Sequence, residues 1–443
     1  MNHITKTIAV LLAGTLITLN ASAQANGSNS SYSRFGLGML SDQAQGFNRN
    51  MGGVGQGLRS GNRLNMLNPA SYSAIDSLAF IFDAGMSLQR TRMANDEGVQ
   101  RVNNTSIDYV HAGFRIRKGL GMSIGFLPFT NIGYSFSSEQ KVGIDNYTLQ
   151  PITKTNSYTG SGGLHQLYAG LGWNAFQGFS IGLNLGYMWG DIYHALITSY
   201  AENGTVSSNY NTPNSLESAE LQTWASNVGV QYQLSLNAQE KVIVGATVGI
   251  GHTISGDATL LRFISNGDSI PQTISKAYQM PMTYSAGASW MHQDKWVFAA
   301  DYTFEKWSQC KAPALSYPSD GSAPQYTAMK GSYTDRSRIS IGAEYIPQRY
   351  AKSLLKSMTY RAGAYYSTPY LVINGQDGPK ELCLTAGVGI PIINRWNNRS
   401  YVNIGAQWIY RSPSAKTMIT ENYFRLNIGV TFNDMWFEKW KFK

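Results

Sequence analysis

The sequence predicts an all-β fold, a 14-stranded antiparallel transmembrane β-barrel preceded by an N-terminal plug segment. Three observations carry this expectation. From Leu78 almost to the C-terminus, apolar and polar residues alternate, which is the period of a strand with two unlike faces. Charged residues make up only 14% of the chain and aromatics 12%, against roughly 25% charge in an ordinary soluble domain. Mean hydropathy is −0.23, and after the N-terminus no run of about 20 apolar residues could cross a bilayer as a helix. A barrel wall interleaves its apolar residues with polar ones, so averaged hydropathy hides them. A soluble propeller would instead repeat a motif every 40–50 residues or so, and no such repeat is present.

The elements follow in order. Lys6, the apolar run from Ile8 to Leu19 and Ala21-Ser22-Ala23 read as a cleaved signal peptide over 1–23, with the mature chain starting at Gln24. Gln24 is not Cys, so no lipid anchor is expected there. Residues 24–76 form the plug. Within it Met51 to Asp76 has neither helical nor strand period, is rich in Gly and Asn, and closes on Asn68-Pro69-Ala70. Gly here lets backbones pack closely.

The barrel occupies 77–433. Its strands are expected at 78–89, 106–117, 120–136, 167–175, 179–192, 221–234, 242–254, 280–290, 296–307, 338–346, 358–367, 382–390, 401–410 and 424–433. The third is interrupted at Pro128, which cannot donate to a ladder. Short connections at 118–119, 177–178, 237–240 and 293–295 alternate with long ones at 201–218, 255–277 and 311–330. Outer-membrane barrels show this asymmetry between periplasmic turns and extracellular loops. Trp173 with Phe179, Trp290 with Trp296, and Trp408 with Tyr410 suit aromatic girdles at the two membrane interfaces. An even strand count leaves both barrel ends in the periplasm. Residues 434–443 form an aromatic and basic tail, open to three readings: an interfacial segment, a docking site for a partner, or a plain chain end.

Chemistry is sparse. Gly53, Gly55 and Gly57 follow no strand and precede no Gly-Lys-Ser/Thr, so they do not read as a phosphate loop. His111, His165, His194, His252 and His292 lack metal-ligand spacing, and no nucleophile signature is present. No enzyme activity, metal or cofactor is expected. The net charge of +9 is spread without a dense basic run, so no nucleic-acid partner is expected. Whether Cys310 and Cys383 pair is not legible in the sequence.

The leader, the Gly/Asn-rich segment ending in Asn68-Pro69-Ala70, and fourteen strands with a broken third one resemble the FadL/TodX-type transporters of Gram-negative outer membranes. The resemblance implies a movable hatch inside the barrel and an inward kink in the third strand, beside the Asn-Pro-Ala motif. Asn68, Pro69 and Ala70 match that motif, and Gly125, Phe126, Leu127, Pro128 and Phe129 fall where the kink would be. It implies passive uptake of hydrophobic, long-chain fatty acid-like molecules, with outer-membrane lipid and an apolar ligand as partners. The tail departs from the family pattern. A second function is therefore carried forward: a non-transporting barrel subunit of an outer-membrane complex for protein secretion or barrel assembly, binding other outer-membrane or periplasmic proteins through its loops and tail. Two readings of the Pro128 break stay open, a lateral gate or a strand passing above the bilayer.

Overall fold

In a computed structural model the described residues are 29–95, 98–144, 150–202, 204–207, 210–264, 269–318, 323–349, 351–392, 400–413, 415 and 418–435. The expected leader and all but the first two residues of the tail lie outside them.

Among the described residues, 14 strands close one antiparallel barrel. They are β1 Ala79–Asn95, β2 Gly98–Arg117, β3 in two arms (Leu120–Pro128 and Thr130–Ile144), β4 Pro151–Phe176, β5 Phe179–Glu202, β6 Pro213–Ser235 and β7 Glu240–Gly249. Then come β8 Thr283–His292, β9 Trp296–Glu305, β10 Arg336–Tyr345, β11 Thr359–Ser367, β12 Lys380–Ile392, β13 Ser400–Ser412 and β14 Thr420–Met435. Each pairs with its sequence neighbours, and β1 pairs with β14 from Ala79↔Met435 to Ala94↔Thr420. Closure leaves no edge within the hydrocarbon layer, as a membrane wall requires.

The period of two decides which side chains meet lipid. On β4, Leu167, Leu171 and Trp173 point outward and are exposed, while Tyr168, Gly170 and Gly172 point inward. Two aromatic bands ring the wall. Phe179 and Trp189 on β5 mark their separation. Ten steps at about 3.3 Å, tilted by about 40°, give a band about 25 Å tall.

Strands extend well beyond that band, and this corrects the expected loops. Of the 201–218 connection, 201–202 belong to the tip of β5 and 213–218 to the tip of β6. Within 255–277, a hairpin of Ser255–Ile264 and Ser269–Ser275 pairs with the upper half of β6. Within 311–330, Ala312–Ser316 pairs with Gln325–Met329. Above the membrane both faces of a strand meet water or loops, so the apolar alternation disappears and such strands read as loops. The seventh strand ends at Gly249 rather than 254.

The outer mouth is capped. Tyr278, Trp307, Tyr326, Tyr333 and Tyr370 from the extracellular connections pack with Tyr32 and Leu37 in one buried cluster. Cys310 and Cys383 are separate buried thiols.

Candidate functional site: the break in the wall and the segment behind it

Residues 29–76 lie inside the barrel. A belt of wall glycines makes room for their backbone. A Cβ on Gly245 of β7 would stand 1.9 Å from the Gln56 carbonyl, and one on Gly363 of β11 would stand 2.2 Å from the Met51 carbonyl carbon. The segment is also pinned by polar contacts from several sides. Asp301 Oδ2 on β9 accepts from the backbone N–H of Gly55 at 2.5 Å and Gln56 at 2.9 Å. Glu344 on β10 takes Arg63 at 2.6 Å and Arg361 of β11 at 2.7 Å.

Asn68 caps a short 3-10 helix, Pro69–Ala74, its Oδ1 accepting from Ala70 N at 3.1 Å. Pro at the first helical position suits the start of a helix, where its missing N–H is not needed. Asn68 Nδ2 donates to Gln56 O and Val230 O, and Pro69 rests on Gly172 and Gly182. The motif therefore faces β4, β5 and β6.

The break lies elsewhere. The lower arm of β3 pairs with β2 and β4, ending at Pro128↔His165. The upper arm pairs with β4 but not with β2. Gly162 and Gly163 of β4 take φ of +116° and +134° opposite the break, a conformation that favours glycine. Gly125 lies against Tyr168 and His111. Phe126 is exposed and stacks on His165, while Leu127 is buried with Leu64, Met66 and Tyr72. His165 pairs in turn with Trp189, so Pro128 sits at the level of the outer aromatic band.

A gap is thus left between the upper part of β2 and the upper arm of β3, and residues 29–43 fill its lower end. Met39–Leu40 forms a short strand on the free edge of the upper arm, in register Met39↔Asn131 and Leu40↔Thr130. Ser41 N donates to Phe129 O at 2.9 Å, Gln43 Nε2 to Pro128 O at 3.0 Å, and Asn131 Nδ2 to Ser41 Oγ at 2.6 Å. Higher up, Ser30 N donates to Gly133 O at 3.1 Å. The β2 side is held by Asn29 on Asn104 and by Arg49. Arg49 is 2% exposed, and its Nη1 lies 2.5 Å from Asp108 Oδ2. Asp108 occupies a bulge where the register of β2 on β1 slips by one. Burial disfavours the Asp42 carboxylate, but Arg49 and Arg338 outweigh it and hold its pKa below the usual value.

Directly inside this seal is a cavity of about 310 Å³, bordered by Ser41, Gln43, Asp108, Phe129, Arg338 and Arg411. Its charges are largely paired, as in Arg411 with Glu381 at 2.6 Å. The five histidines among the described residues are dispersed. His111 meets Tyr168, His194 meets Tyr134, His252 meets Thr223, His292 meets Glu240 and His165 meets Phe126. No group of three or more metal-ligating side chains occurs among the described residues.

The sequence pointed to the break through Pro128. It did not point to Ser30, Met39, Ser41, Gln43, Arg49 or Asp108, which do the sealing. Their partners are backbone atoms or residues far away in the chain, and no local spacing announces them.

A family model described as BamG matches residues 4–443. No curated protein matches the chain. Among solved structures, the CymD monoaromatic hydrocarbon channel aligns at TM-score 0.55 and 16% identity, over 90% of this chain and 98% of that one. The Ralstonia pickettii toluene transporter TbuX aligns at 0.55 and 17%, over 87% and 97%. A Pseudomonas aeruginosa FadL homologue aligns at 0.56 and 10%, over 89% and 99%. At such identities the shared property is the fold, a closed antiparallel barrel.

Proposed function

The chain belongs to the BamG family, and we propose that it is a gated outer-membrane barrel passing small hydrophobic molecules sideways between its lumen and the membrane. Residues 24–76 act as the hatch and residues 29–43 as its shutter. The observation that carries this reading is the cavity lying directly behind a gap that the chain closes with its own N-terminal segment. Its size falls near the lower end of small-ligand pockets, about 300–1,000 Å³. On this reading the exit lies at the outer interface, at the level of Pro128, rather than mid-bilayer. The neighbours named as hydrocarbon and toluene channels support the cargo class. The cavity's five arginines face five carboxylates, so its charge does not select an acidic head, and the long-chain fatty acid-like class rests on the family resemblance. No covalent chemistry is assigned to the site.

The test is uptake of radiolabelled long-chain fatty acid by cells lacking the protein, cells carrying it, and cells carrying Pro128→Val with Phe129→Thr. Uptake that depends on the protein and falls in the variant supports the proposal. Equal uptake in all three removes it.

One observation favours a second reading, a closed barrel serving as a subunit of a larger outer-membrane assembly. The buried ion pairs and glycine belt hold the segment from many sides, and the outer mouth is capped. Extraction in mild detergent separates the two. Stoichiometric protein partners with no bound lipid-like ligand favour the subunit.

A further inference from the structure

A second pocket, of about 210 Å³, opens at the short-turn end of the barrel, away from the break. It is bordered by Arg59, Arg63, Asp294, Lys295, Glu344 and Arg349. Its charges do not balance. Glu344 is shared by Arg63 and by the fully buried Arg361 behind it, and Arg361 Nη2 has no hydrogen-bond acceptor. Arg59 meets no carboxylate among the described residues. Its one hydrogen bond there runs from Nη1 to Ser180 Oγ, at 2.6 Å. Burial alone holds its guanidinium below the usual pKa. Four cations therefore line a concave mouth against two carboxylates, with Arg361 buried behind Glu344.

Arg59 is half-buried, so water screens part of its charge, but a cation at a concave mouth with no carboxylate partner still favours an anion that completes it. The guanidinium fork matches the oxygens of a phosphate, and lysine adds a point charge beside it. We propose that this pocket binds a phosphoryl group presented from the periplasmic side. Arg59 is its principal contact, with Arg63 and Lys295 flanking it. The volume exceeds that of the ion, leaving room for what the phosphate is attached to. The group comes either from a small soluble phosphate or from a phospholipid head group. This site stands independently of the gating proposal, because it uses neither the gap nor its seal.

The experiment uses the full-length protein purified in a non-ionic detergent. Thermal melting and titration calorimetry are recorded with sodium phosphate, with sodium chloride at equal ionic strength, and with micellar dioctanoyl phosphatidic acid against dioctanoylglycerol. Wild type is compared with Arg59→Gln, Arg59→Lys and the exposed control Arg101→Gln. The expected result is stabilisation of wild type and Arg101→Gln by at least one phosphate source, with binding at least tenfold weaker in Arg59→Gln. Arg59→Lys, which keeps the charge without the fork, falls between and serves if Arg59→Gln does not fold. In chloride alone Arg59→Gln melts at or slightly above wild type, since the unpaired charge it removes is half-buried and its bond to Ser180 goes with it. A response to phosphatidic acid only identifies the lipid source, and a response to inorganic phosphate identifies the solute. No response to either, or equal binding by wild type and both Arg59 variants, overturns the proposal.

Discussion

Arg49 Nη1 stands 2.5 Å from Asp108 Oδ2, and this buried pair fastens the N-terminal segment to the β2 side of the gap. The opposite side is fastened by Ser41 and Gln43 on Phe129 and Pro128. Asp108 is further held by Ser87 Oγ at 3.0 Å and Ser106 Oγ at 3.1 Å, so the carboxylate is positioned before the guanidinium meets it.

Truncating one member of the Arg49–Asp108 pair leaves the other charge buried and alone. Arg49→Ala or Asp108→Ala is expected to weaken the seating of the segment by about 3–5 kcal/mol. In planar bilayers the single variants show a larger, flickering conductance than wild type. The double variant regains part of the loss. Equal conductance in wild type and single variants removes the pair from the seal.

The glycine belt gives a steric prediction. Gly245→Ala drives a methyl into the Gln56 carbonyl, and overpacking of this kind costs about 1–3 kcal/mol. Gly98→Ala meets nothing within 4 Å and is expected to be silent. Melting followed by the heat-dependent gel mobility of the barrel compares the two.

Asp42 gives a pH prediction. Its folded pKa lies below the ordinary value of 3.8, so the carboxylate is stabilised by folding. That contribution is complete above the unfolded value and is lost as pH falls through the lower folded value. The melting difference between wild type and Asp42→Asn should be the same at pH 7 and pH 5, and should shrink only in stronger acid, below about 3.8. A difference that already vanishes at pH 5 contradicts the assigned partners.

Fourteen strands were legible because one face of each meets lipid, as Ile181, Leu183 and Leu185 do on β5. The upper half of β2 was not, because Val99, Arg101 and Asn103 all meet water and leave no period to read. Pro128 announced the break through its missing donor. The seal was hidden, since Ser30 and Ser41 act largely through backbone N–H groups, which any residue carries. Arg49 and Asp108 are 59 residues apart, and nothing local marks either as the other's partner.

In the proposed function the segment must leave the edge of β3 for cargo to pass. Met39 and Asn131 are directly paired across that edge, so a Met39→Cys, Asn131→Cys variant can be closed by oxidation and reopened by reduction. The decisive measurement is fatty-acid uptake by cells carrying this variant under the two conditions. Uptake is expected to fall to the level of cells lacking the protein when the disulfide forms, and to recover on reduction. Uptake unchanged by the closed disulfide would contradict the proposal.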